Sequence, residues 1–346
     1  SKRDFYRNRD INAIGNGGKQ MKASKQQKGN TKNLWLRIRR NWGLYLLLLP
    51  AVILLICFTY RPMYGVLIAF KEYRPADGIW GSAWATPWYR YFKKFFDSYQ
   101  FVNTIKNTLT ITLYSLLVFP IPIILALCIN QMKSGKFKKI FQTVTYMPHF
   151  ISTVVMVGLI TLLLSPGSGV FGAICDILGV EAPNLMGKAG AFKHLYVWSD
   201  VWQHAGWDSI IYIAALSGID PSLYEAATVD GATKMQKIKY IDIPMLIPTA
   251  VIMLILRMGG LLSLGKISII TAVGLLSLGF EKVYLMQNDL NLASSEVIST
   301  YVYKIGVINT QYSYSAAINL FSTVVNFILL LSVNKISKRI GENSLW

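Results

Sequence analysis

The residue types best suited to chemistry gather in one place. Asp200, Gln203, His204 and Asp208 fall within 194–217, a stretch otherwise rich in apolar and aromatic side chains. A membrane-embedded transferase would present paired carboxylates to hold a divalent ion, and Asp200 with Asp208 is the nearest such pair. They stand two helical turns apart, without supporting ligands. His149, His194 and His204 lack the spacing of metal ligands. No local sequence suggests a histidine–carboxylate–nucleophile set, so each histidine is expected to serve packing or an interface. Cys57, Cys128 and Cys175 lie far apart with no CxxC pair, which argues against a disulfide framework or a thiolate metal site. "GLLSLGKI" at 260–267 nearly matches the phosphate-binding loop GxxxxGK[ST]. Ile267 stands where a hydroxyl must reach the magnesium, and the stretch lies in an apolar run rather than between a strand and a helix. The expectation is a chain with no catalytic residue, no metal, no cofactor and no ATP site of its own.

The elements that must position these residues are apolar. The chain has 346 residues, 53% hydrophobic and only 15% charged. A soluble domain sits nearer about 25% charged, so an all-α integral membrane protein is expected. The net charge of +18 does not point to nucleic acid: 12 of the 35 basic residues precede Asn41, and most others flank apolar runs. Residues 1–33 read as a flexible polar tail. "KNLWLRIRRNW" at 32–42 places Leu34, Trp35, Ile38 and Trp42 at helical spacing among arginines, as in an interfacial basic helix. Residues 1–42 thus form a cytoplasmic tail and 43–346 the membrane domain.

Six transmembrane helices are expected, at about 43–60, 103–129, 141–164, 194–217, 247–279 and 314–334. A signal peptide is the competing reading of the first, but no small-residue cleavage site follows it and further spans do. With the N-terminus inside, the inner segments carry 22 basic residues and the outer ones 10, which puts both termini in the cytoplasm. The fourth span is the most polar. The fifth is overlong, because "LLSLG" occurs at 261–265 and again at 275–279, so it either breaks and re-enters or holds a local duplication.

Between the fourth and fifth spans, on the cytoplasmic side, lies "YEAATVDGATKMQKIKYIDIP", Tyr224–Pro244. Ser222 is placed to cap a first helix near Leu223 with Glu225 in its first turn. Asp230 and Gly231 supply a break, and Pro244 with Pro248 ends a second helix and starts the next span. Such a knob, at about 218–246, is either a plain surface hairpin or a shape that docks into a partner's groove.

Glu225, Ala226, Ala227, Asp230, Gly231, Ala232 and Pro244 match the EAA loop of ABC-importer permeases. "GWDSIIYIAALSGIDPSLYEAATVDGA" at 206–232 resembles the carbohydrate-uptake branch, and "YRPMYGVLIAFKEY" at 60–73 and "MPHFISTVV" at 147–155 resemble its permeases for oligosaccharides and polysaccharides. Ile238 and Ile243 depart from the usual aromatic and leucine, and the run at 266–279 departs further. The resemblance implies the type I ABC-importer permease fold. It also implies a bacterial plasma-membrane complex with a second, different permease, two cytoplasmic ATPase subunits holding ATP and magnesium, and an extracellular solute-binding protein. Sugars need aromatic faces and hydrogen-bonding groups along their path. Trp198 and Trp202, four apart on a helix with Asp200, Gln203 and His204 nearby, are the candidate path; the tryptophans would equally suit an interfacial anchor. The rival readings are a permease for amino acids, peptides or phosphate, and a membrane-embedded sugar transferase.

Overall fold

The computed structural model describes residues 39–133, 135–261 and 280–340. The chain divides at Tyr64 into two units. In the first, α1 (Trp42–Leu55) runs through a π turn at Ile56–Tyr60 into Arg61–Met63 and buries none of its side chains. The π turn closes with the Arg61 N–H reaching the Ile56 carbonyl, directly ahead of Pro62, so the helix passes a proline without breaking.

The second unit is a helical assembly. A looping segment carries a short helix α2 (Arg90–Phe96), followed by α3 (Tyr99–Leu117) and α4 (Pro120–Gln131). These two helices together form one apolar stretch of 33 residues, the expected second span. The expected third span is not one straight helix. It comprises α5 (Lys136–Tyr146), a tight turn at Met147–Phe150, and α6 (Thr153–Leu163), bent from the first piece by 101°. Pro148 and the extended Ile151 interrupt the helix, and Ser152 restarts it by accepting from the Val155 N–H. A hydropathy window averages over that break, whose signals are the proline and the capping serine.

After α7 (Val170–Ile177) comes α8 (Ala189–Ser217), 29 residues long and containing the expected fourth span. α9 (Pro221–Val229) and α10 (Lys234–Lys237) follow, then a π turn at Ile238–Asp242 and α11 (Ile243–Leu261). The fifth span therefore begins well before 247, as an apolar helix over Lys234–Arg257; its expected end and the second "LLSLG" lie outside the described residues. α12 (Phe280–Met286), α13 (Leu292–Ser295) and α14 (Ile298–Tyr303) lead to α15 (Tyr312–Ile340), which contains the sixth. Among the described residues three helices are long and apolar enough to cross a membrane, or four if the bent pair counts as one.

α8 is the hub, packing against α4, α5, α11 and α13. One core joins Ile111 and Val118 to Phe192, Val197, Val283 and Met286; a second joins Ala126, Tyr212, Leu216 and Leu246. Gly206 permits the closest approach, since a Cβ there would lie 2.0 Å from the Thr145 carbonyl oxygen of α5.

Candidate functional site

The hairpin at 218–246 is built from local signals. Asp220, rather than Ser222, caps α9: its Oδ1 accepts from the Ser222 N–H at 2.9 Å, and Pro221 opens the helix. Proline is suited to that first position because its ring fixes φ and it has no N–H to satisfy. The backbone bond from Ser222 holds the exposed Asp220 carboxyl below its ordinary pKa. Glu225 consequently lies beyond the first turn and faces solvent.

At the far end Gly231 adopts φ +73°. Its N–H bonds the Thr228 carbonyl at 3.1 Å and the Ala232 N–H bonds Ala227 at 2.9 Å, the paired bonds of a Schellman stop. Thr233 and Gln236 then form a reciprocal capping box that opens α10. Pro244 does not end this second helix. The π turn carries the chain through, with the Ile243 N–H bonding the Ile238 carbonyl directly ahead of the proline.

Two side-chain ties close the hairpin on itself. Lys237 Nζ donates to Thr228 Oγ1 at 2.7 Å, and the Tyr224 hydroxyl donates to Asp242 Oδ1 at 2.5 Å. Burial, then this bond, pushes the Tyr224 phenol above its ordinary pKa. α9 and α10 bury no side chain, Ala226 is exposed, and Val229 and Met235 are 87% and 70% exposed. The segment is thus shaped without a core beneath it, and it presents apolar side chains outward.

The polar residues of α8 join a charged cluster in the membrane segment. His204 Nδ1 lies 3.2 Å from Asp200 Oδ1, and Lys282 Nζ lies 3.6 Å from the same oxygen. Arg257 of α11 stands between the two acids, 3.9 Å from Asp200 and 4.0 Å from Asp208. A guanidinium therefore occupies the place a divalent ion would need between the carboxylates. Asp200, His204, Asp208 and Arg257 line one small cavity with Val118 and Pro122. Pairing of this kind keeps ionisable groups tolerable inside an apolar segment.

The other α8 residues divide. Gln203 is buried and donates to the Ile151 carbonyl at 2.8 Å, securing the bend between α5 and α6. Trp198 and Trp202 are 52% and 56% exposed; Trp198 Nε1 donates to the Tyr114 hydroxyl, which also meets His194 Nδ1, both at 2.9 Å. His149 stacks on Trp207 with ring centroids 4.4 Å apart. Sequence reasoning passed over Arg257, Lys282 and Asp242. A charged residue inside an apolar run was the available signal for Arg257 and for the aspartate of "IKYIDIP".

Residues 119–342 match the family of binding-protein-dependent transport system inner membrane components. The chain is 36% identical to the polygalacturonan/rhamnogalacturonan transport system permease protein YteP of Bacillus subtilis, over 92% of this chain and 95% of that one. It is 37% identical to protein LplB of the same organism, over 89% and 92%. Its fold matches the crystal structure of a bacterial ABC transporter involved in importing the acidic polysaccharide alginate, with a TM-score of 0.77 and 38% identity over 89% of this chain and 99% of that chain. A second structure, of the alginate transporter with an alginate pentasaccharide-bound periplasmic protein, matches with a TM-score of 0.78 and 37% identity over 90% and 99%. The chain belongs to this family and is a membrane permease component of a binding-protein-dependent transport system.

Proposed function

We propose that the chain is the permease of an ATP-driven importer of oligosaccharides from acidic glycans, with 218–246 as the loop that receives the ATPase stroke. The observation that carries this is the hairpin itself: fully capped and internally tied, yet without a buried residue on α9 or α10 and with Val229 and Met235 displayed. A segment so shaped and so unburied is suited to dock into a partner. Ala226 and Ala227 allow close approach, while Glu225 and Asp230 face the water beside them. The names of the relatives, polygalacturonan/rhamnogalacturonan and alginate, support the substrate class.

In this reading the chain pairs with a second permease, two ATPase subunits and an extracellular binding protein. ATP and magnesium belong to the ATPases, and this chain holds no cofactor. It resides in the bacterial plasma membrane with both termini cytoplasmic, as the 22-to-10 split of basic residues supports. The sugar passes Trp198, Trp202 and the cluster at Asp200 and His204, and Gln203 keeps that helix seated.

The test is ATPase stimulation of the reconstituted complex by its loaded binding protein across a glycan panel. Uronic-acid oligosaccharides are expected to stimulate, and a response only to peptides, amino acids or phosphate overturns the assignment. Ala227→Trp is expected to assemble with the second permease and lose the ATPase. For topology, Lys133→Cys is expected to resist an impermeant external thiol reagent, and Asp77→Cys to react, in a background without native cysteines.

A further inference from the structure

Asp242 is the one residue of the π turn that is fully buried, and it is a carboxylate. Among the described residues no lysine, arginine or histidine pairs with it. Its partners are neutral donors from two other elements. Tyr224 of α9 donates to Oδ1 at 2.5 Å, and Gln131, the last residue of α4, donates to Oδ2 at 3.3 Å. A buried acid with no counter-charge costs stability unless hydrogen bonds hold it, and these two are the side chains that do so.

The placement has a mechanical consequence. The backbone joins the hairpin to the membrane helices at two points, Gly218–Asp220 behind α8 and the π turn ahead of α11. Gly218 ends α8, and Gly231, in the left-handed region, separates α9 from α10. Glycine is the residue most permissive of backbone rotation, so α9 pushed by a partner could swing on these joints and leave the helices behind. The Tyr224–Asp242 bond closes a ring between residues 18 apart in sequence, and Gln131 ties that ring to α4, a helix remote from the loop along the chain.

We propose that Asp242 is a positioning residue for energy coupling, which gathers α9, α11 and α4 at one carboxylate so that displacement of the hairpin moves two membrane helices together. This rests on the reading of 218–246 as the ATPase-coupling loop. The aspartate transmits the stroke and touches neither sugar nor nucleotide.

The test uses the whole complex in proteoliposomes, with uptake and ATP hydrolysis measured on the same preparation. Tyr224→Phe and Asp242→Leu are expected to keep the ATPase bound and hydrolysing. Uptake per ATP should fall about tenfold, the low end of what a hydrogen bond to a charged group supports. Asp242→Asn is expected to restore most of the ratio, because its carbonyl still accepts from Tyr224 and its amide can donate to Gln131. Gln131→Leu, which removes only the longer bond, covers the case in which Asp242→Leu does not assemble, and is expected to lower the ratio by a smaller factor. An unchanged ratio in Tyr224→Phe overturns the inference. So does loss of the ATPase from that variant, since the clamp would then merely shape the docking surface. The underlying reading fails separately, if Ala227→Trp retains both ATPase and full uptake.

Discussion

Two polar regions of the molecule, each joining helices by loops, are held in opposite ways. Around α13 and α14 the side chains that do the holding are buried. Asn291 is fully enclosed; its Nδ2 donates to the Met186 and Met286 carbonyls and its Oδ1 accepts from Ser295 and the Asn288 N–H. Asn107 of α3 donates to the Ala293 and Glu296 carbonyls, and Ser294 to Ala189. Three stretches distant in sequence are thus pinned by amide groups, each satisfied on several sides. The hairpin at 218–246 has caps, a Schellman stop and one buried carboxylate at its root, but no fully buried side chain on α9 or α10. One region is fixed by what surrounds it, and the other keeps its shape through bonds of its own. Buried amides hold stretches distant in sequence together, whereas local caps are enough to shape a segment that its surroundings leave bare.

The largest effect is expected where burial is deepest. Asn291→Leu takes their partner from the Met286 carbonyl, the Asn288 N–H and the Ser295 hydroxyl, at about 1–3 kcal/mol for each group left unsatisfied, while the Met186 carbonyl keeps Asn288 Nδ2. Its thermal unfolding midpoint in detergent should drop sharply, and a midpoint near that of the parent would remove the contrast between the two regions.

Gly231→Val comes next. The space around a Cβ there is open, so the cost is backbone strain alone, about 1–3 kcal/mol and confined to the hairpin. Retention of the ATPase on purification should fall while global stability stays close to that of the parent. Asn, which tolerates the left-handed region, should be milder than Val.

Thr233→Ala dismantles the capping box and should cost about 1 kcal/mol, visible as faster amide exchange over 233–237 with little change elsewhere. The smallest change in stability belongs to Val229→Ser, which removes no buried contact. That variant should unfold as the parent does and bind the ATPase less well, and equal binding would show that the displayed apolar side chain is idle.

The parts of this architecture governed by local rules were open to reading from the residues. Gly231 announced its left-handed turn, and the apolar runs marked where long helices lie, because solvent preference and backbone sterics act at short range. Asp220 displaced Ser222 as the cap because Pro221 favours a start two residues earlier, a competition that a list of cap-forming residues does not resolve. The 101° bend at 147–153 had its local signals in Pro148 and Ser152, but a span read from hydropathy averages over both. The cluster of Asp200 with Arg257 and Lys282 needed three elements brought together from distant sequence. Gln203, taken with its neighbours as lining a path, has its own partner in the Ile151 carbonyl, and only tertiary structure could supply that partner.

The π turn at Ile238–Asp242 has a further meaning as spare length. Such a turn closes over one more residue than an α-helical turn, and the extra residue is taken up within a single wider turn. The helix on either side therefore keeps its course although Pro244 follows directly. Removing one residue between Ile238 and Asp242 would leave every cap and the Schellman stop in place, yet return the turn to α-helical spacing and set the proline ring against a carbonyl of the turn before it. The path from the hairpin into α11 would then kink, so one surplus residue is what lets a continuous helix carry a proline there.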